Sequence, residues 1–127
     1  MINFTIYTNN PAVLQKYPQL ATEISGGVGD VFTAVRNAVH RGAVLISHPL
    51  SGSIKPNESP YKSVMASTAI GPLHTDSLSL IEGAAAVLKK MPPKHRSYPE
   101  TVLEDFAVID LDLMNSALAS LPSNYHF

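Results

Sequence analysis

The chain contains no cysteine. Disulfides, thiolate nucleophiles and cysteine metal sites are therefore excluded at once. Charge of either sign is sparse: charged residues make up 15% of the chain and the formal net charge is -1. No basic run exists beyond Lys89-Lys90 and the scattered Lys94-His95-Arg96, which leaves no general electrostatic case for nucleic acid or an anionic membrane as a partner. No apolar run approaches the roughly 20 residues needed to span a bilayer. The start, Met1-Ile2-Asn3-Phe4-Thr5, lacks the basic beginning and long apolar core of a signal peptide. Internal repeats and low-complexity segments are absent. The histidines at 40, 48, 74, 95 and 126 include no close ligand pair, so neither a metal nor another cofactor is expected.

What is present fits one globular α/β domain over residues 1–127, large enough to bury a core and 45% hydrophobic. Ile2, Phe4 and Ile6 alternate with polar or amphipathic neighbours, which predicts a first strand with one buried face. Asn10 and Pro11 suit the start of a short helix ending near Tyr17. A firmer helix runs from about Asp30 to Arg41, with Val31, Phe32, Val35, Ala38 and Val39 on one face and Gly42 as its terminator. Ala43 to Ser47 reads as a strand buried on both faces, and Ser63 to Ala69 as a further strand rich in small residues. A helix over about Ser77 to Lys90, capped by Thr75 or Asp76, follows and stops at Pro92-Pro93. Pro99 to Glu104 predicts a single helical turn, and Phe106 to Ile109 a last strand. Asp112 then caps a final helix built on Leu113, Met114, Ala117, Leu118 and Leu121. This order argues for a small three-layer α/β sandwich, its mostly parallel sheet of about four strands flanked by helices. The direction of the Ser63–Ala69 strand stays open, because a Pro-rich loop rather than a helix leads into it.

That loop, SHPLSGSIKPNESPYKS from Ser47 to Ser63, is the most distinctive stretch. Loops of its length without secondary structure are uncommon in compact domains and often carry function. In a parallel sheet ligands collect outside the carboxyl ends of the strands. Four exits are expected at one such rim: Thr8-Asn9-Asn10, Ser47-His48, His74-Thr75-Asp76 and Asp110 to Asp112. His48 can act as acid or base, bind phosphate, or simply fix its own loop. Ser51-Gly52-Ser53 with Lys55 can cradle an anion, although it is not a Walker motif. Lys55 to Lys62, stiffened by Pro56 and Pro60 and bearing Asn57 and Tyr61, can dock a partner or a second copy of the chain. One of Asn9 and Asn10 is accounted for by helix capping. A Ser51-His48-Asp110 triad lacks the Gly-x-Ser-x-Gly elbow that would support it.

Thr8-Asn9-Asn10-Pro11, followed by HPLSGSIKPNESPYKS from His48 to Ser63 and more loosely by Asp76-Ser77-Leu78, resembles the GrdX family. Members of that family are small proteins encoded beside the glycine, sarcosine and betaine reductase genes of amino-acid-fermenting anaerobes. The resemblance implies a cytoplasmic protein associated with reductase metabolism as an accessory factor, and it brings no assigned catalytic residue. The expectation is a non-catalytic factor presenting Thr8, Asn9, Asn10, His48, Ser51, Gly52, Ser53, Lys55, Asn57, Tyr61 and Lys62 to a small polar or anionic ligand or to a reductase-system protein. Self-association through the loop is a further option. The alternative is an enzyme acting on a small carboxylate or phosphate compound, with His48 as acid/base.

Overall fold

A computed structural model describes residues 2–51, 55–91 and 97–126. Gly52 and Ser53 of the expected anion cradle, Pro92-Pro93 and Lys94-His95-Arg96 lie outside the described residues. The sheet is built around β1 (Ile2–Thr8). Its alternation sends Phe4, Ile6 and Thr8 to a fully covered face, as a period of two requires. α1 (Pro11–Lys16) follows directly, with Pro11 in its first turn and the Asn10 side chain accepting from the Ala12 amide. β2 (Ala21–Glu23) pairs parallel with β1. α2 (Val28–His40) buries Val28, Val31, Phe32, Val35, Ala38 and Val39, an i, i+3, i+4, i+7 stripe. Gly42 lies just past its end at φ 112°, and a Cβ there would meet the Gly71 amide nitrogen at 2.3 Å. Both conditions demand glycine.

β3 (Ser63–Ser67) pairs antiparallel with β1, Thr8 opposite Ser63 and Ile6 opposite Met65. α3 (Thr75–Lys90) and α4 (Glu100–Ala119) complete the layers, and the two-residue β4 (Tyr125–His126) pairs parallel with the start of β1. α2 and α3 share one core with Val64. Val13 of α1 and Met114 of α4 share another with Phe4, Ile6 and Met65. Helices therefore cover both faces of the sheet.

Several sequence expectations are corrected. The sheet is mixed, of three strands in the order β2-β1-β3 with β4 off that path, not a mostly parallel one of about four. Between α2 and β3 the described chain has no further helix, and β3 returns antiparallel to β1. Residues 43–47 run beside β3 without forming a strand: only Leu45 bridges Ala66. Main-chain bonds from Ile46 N–H to the Met65 carbonyl and from Ser67 N–H to the Val44 carbonyl are kept, and serine hydroxyls take other ladder places. The Val44 amide donates to Ser67 Oγ at 2.9 Å, the Leu45 amide to Ser77 Oγ at 2.9 Å and the Met65 amide to Ser47 Oγ at 2.8 Å. Phe106 to Ile109 is helical, in the middle of α4; Pro99 precedes its first turn, and Glu100–Glu104 and Asp112, expected as a single turn and a cap, lie within it. A four-residue apolar run does not discriminate strand from helix. Here the surrounding residues decide, since no Gly or Pro occurs from 100 to 121. Two of the four, Val108 and Ile109, stay exposed at 52% and 41%. The cap of α3 is His74, whose Nδ1 accepts from the Ser77 amide, rather than Thr75 or Asp76.

Candidate functional site

β1 ends where β3 begins, so the exit of β1 and the end of the long loop meet. Asn9 joins them with its whole side chain. Its Nδ2 donates to the Gly26 carbonyl at 3.0 Å and the Pro60 carbonyl at 2.8 Å, while its Oδ1 accepts from the Lys62 amide at 2.9 Å. Two of these three bonds hold the loop at Pro60 and Lys62, and the third ties it to the turn before α2. The loop is further shaped by local turns. Ser51 N–H donates to the His48 carbonyl, Glu58 N–H to the Lys55 carbonyl, and Ser59 Oγ both accepts from Tyr61 N–H and donates to the Tyr61 carbonyl. Tyr98 Oη donates to the Glu58 carbonyl at 2.9 Å, tying the loop to the approach of α4.

Asn10 is the capping asparagine, and its Nδ2 also donates to the Ala107 carbonyl at 2.9 Å and to Asp110 Oδ2 at 3.0 Å. Thr8, Ser63 and Asp110 are buried beside it. Asp110 Oδ2 accepts from Ser63 Oγ at 2.6 Å, and Thr8 and Ser63 hydroxyls are 2.6 Å apart. The Asn10 amide donates to Thr8 Oγ1 at 3.0 Å. A carboxylate at one end and an amide N–H at the other orient every proton between them: Thr8 donates to Ser63, and Ser63 to Asp110. This chain of bonds fastens α4 to the ends of β1 and β3. It is satisfied internally, as a buried polar network must be to stabilise.

Lys62 comes next in the loop. Its Nζ donates to the Ser51 carbonyl at 3.2 Å. The ammonium is half-buried, and desolvation holds its pKa below the usual lysine value of 10.5, opposed by the negative charge of Asp110. Asp110 is not in ion-pair contact with it; among the described residues the one ion pair is Arg36–Glu82, at 3.7 Å. Lys62 faces a narrow cleft between the loop, with Ser51, Lys55 and Tyr61, and the Phe106-Ile109-Asp110 side of α4. The free space there accepts one or two water-sized groups.

The expected rim is thereby redrawn. Thr8, Asn9 and Asn10 meet the loop at one end of the sheet, and Asp110 arrives from within a helix rather than from a strand exit. His74 to Asp76 do not join them, because antiparallel β3 carries the connector to the opposite end. The His48 ring is exposed, and its Nδ1 accepts from the Leu50 amide at 3.0 Å, a bond internal to the loop. Ser51, Lys55, Tyr61 and Lys62 share the cleft. Asn57 is half-buried in the same loop, outside the cleft lining. Among the described residues no three His, Asp or Glu side chains cluster as a metal site would need. The sequence placed Asp110 at the rim as a strand exit and in an unsupported triad, whereas it enters from the buried side of α4. Its signal was a carboxylate inside the Ala107-Asp110-Met114 stripe, visible only once that region is read as helix.

These features define a small mixed α/β protein whose long, stapled loop closes over a lysine-bearing cleft. The family model for GrdX-like proteins matches residues 5–119 of the 127, and the chain belongs to that family. No curated protein and no solved structure matches it. No helix among the described residues is long and apolar enough to cross a membrane.

Proposed function

We propose that this chain is a non-catalytic, cytoplasmic accessory factor of the glycine and betaine reductase system that binds a small anionic ligand through the Lys62 cleft. The family name supports the link to that system. The observation that carries the binding reading is the state of Lys62. A cation withdrawn from water, holding one backbone carbonyl and no ion pair, gains more from an incoming anion than a solvated lysine does. Lys55, exposed at the cleft mouth, adds a second positive charge to the same approach. The Thr8, Asn9, Asn10 and His48 side chains have structural duties, so the ligand is held by charge and shape and not by a ring of amides. The small free volume suits a carboxylate head whose remainder projects outward.

Calorimetric titration of the protein with acetate, glycine, betaine and phosphate tests this. Saturable binding of at least one of these carboxylate or phosphate compounds, weakened about tenfold or more by Lys62→Met, is expected; a factor of ten is about 1.4 kcal/mol, a modest value for one desolvated charge pair. Absence of binding for all four, or equal binding by Lys62→Met, refutes the reading. His48→Ala should bind as the wild type does. If the wild type instead turns over a carboxylate or phosphate compound and His48→Ala does not, the protein is an enzyme.

A further inference from the structure

Lys62 is placed to do more than attract charge. We propose that it is a carbonyl-capturing amine, forming an imine with a small aldehyde or 2-oxo acid whose carboxylate lies toward Lys55. The inference rests on the cleft-binding reading and adds the chemical class of the ligand. Three observations carry it. The Lys62 amine is held in place from behind by the Ser51 carbonyl at 3.2 Å, while the Asn9 clasp on the Lys62 amide fixes the backbone that bears it. The wall opposite is largely apolar, formed by Phe106, Ile109 and Leu113 of α4 with Asp110 its one charged member. Asp110, the anion closest in effect, already accepts from Ser63 and Asn10 and makes no ion pair with the lysine.

Such surroundings favour the neutral amine, which is the nucleophilic form. Burial lowers Lys62 below its ordinary value in agreement with this, and Asp110 limits the shift. The reaction balances without an oxidant or reductant. The nitrogen lone pair forms a bond to the carbonyl carbon, and the carbonyl π pair moves to oxygen. A proton passes from nitrogen to that oxygen to give the carbinolamine. Protonation of its hydroxyl then expels water as the nitrogen pair forms the C=N bond, and loss of the remaining proton leaves the imine and one water. Only the reacting carbon needs to enter the cleft, in keeping with its small volume, and the carboxylate meets Lys55 at the mouth.

The test uses the full chain, glyoxylate and cyanoborohydride near neutral pH, followed by peptide mapping. Glyoxylate captured as an imine and reduced leaves a carboxymethyl group on the lysine. Carboxymethylation of Lys62 measurably faster than that of exposed Lys16, Lys89 and Lys90 is expected. Lys62→Arg should remove this fast phase and leave labelling at the other lysines unchanged. Even labelling across the lysines, or slower labelling at Lys62, overturns the proposal. Acetate, which has the charge but no reactive carbonyl, separates the two ideas. Lys62-dependent acetate binding with even labelling ends the imine proposal alone. Even labelling with no anion binding of any kind ends both.

Discussion

Asp110→Ala is the most informative perturbation of this molecule. The wild-type carboxylate accepts from Ser63 Oγ at 2.6 Å and Asn10 Nδ2 at 3.0 Å in a position only 6% exposed. A hydrogen bond to a charged group contributes roughly 1.5–3 kcal/mol, and a buried donor left without an acceptor carries its own penalty of about 1–3 kcal/mol. Two such bonds give a gross loss of about 3–6 kcal/mol. Release from burying a charge offsets part of it, leaving a net loss of about 3 kcal/mol. Set against a total stability of about 5–15 kcal/mol for a domain, this is large enough to measure and small enough to leave the variant folded. In urea, with a slope of about 2 kcal/mol/M, the midpoint should fall by about 1.5 M. Asp110→Asn, which keeps the shape and one acceptor, should lose about half as much. A double-mutant cycle with Ser63→Ala should return a coupling of about 1–2 kcal/mol. Losses below about 1 kcal/mol for Asp110→Ala, or additive effects in the cycle, would show that the Thr8-Ser63-Asp110-Asn10 chain does not hold α4 to the sheet.

Two further outcomes follow from the loop and its lysine. Asn9→Ala should speed hydrogen exchange at Tyr61 and Lys62 by tenfold or more (about 1.4 kcal/mol of local protection) while α2 amides exchange as before; unchanged protection at Lys62 would mean that Asn9 is not the staple. Because burial lowers the pKa of Lys62, the folded chain binds fewer protons than the unfolded chain between that lowered value and 10.5, so its stability rises with pH across this window. Lys62→Met lacks this term, so the wild type should gain stability relative to it as pH climbs from neutral toward the usual lysine range. A difference that stays constant across that range, measured by urea titration at each pH, contradicts the burial of a charged Lys62.

Much of the scaffold is legible in residue order because its signals are local. The Asn10-Pro11 start of α1, the valine-rich stripe of α2 and the glycine at 42 each declare themselves within a few positions. The alternation of Ile2, Phe4 and Ile6 does the same for β1. Where identity depends on distant partners, local reading fails. Residues 43–47 look like a buried strand until Ser47, Ser67 and Ser77 are seen to take up amide groups around it. β2 and β4, of three and two residues, are too short to produce periodicity. Phe106 to Ile109 conceals a helix whose polar inward residue is its most consequential one. The site shows the same division. That the loop matters is legible from its length and composition. That Asn9 spends its amide across 51 and 53 residues of sequence to hold it is not, nor that the usable chemistry condenses onto Lys62.

The serine stitching along residues 43–47 also bears on how this molecule can meet others. Exposed rows of main-chain donors and acceptors invite extended peptides and, in excess, fibrillar stacking. One flank of this sheet is occupied by residues 43–47, whose amides are already bound to hydroxyls or carbonyls, and the other ends in a three-residue strand with exposed Thr22 and Glu23. Neither offers a template long enough for strand addition. Along these two flanks recognition falls to side chains, and the main chain there is shielded from strand-to-strand polymerisation.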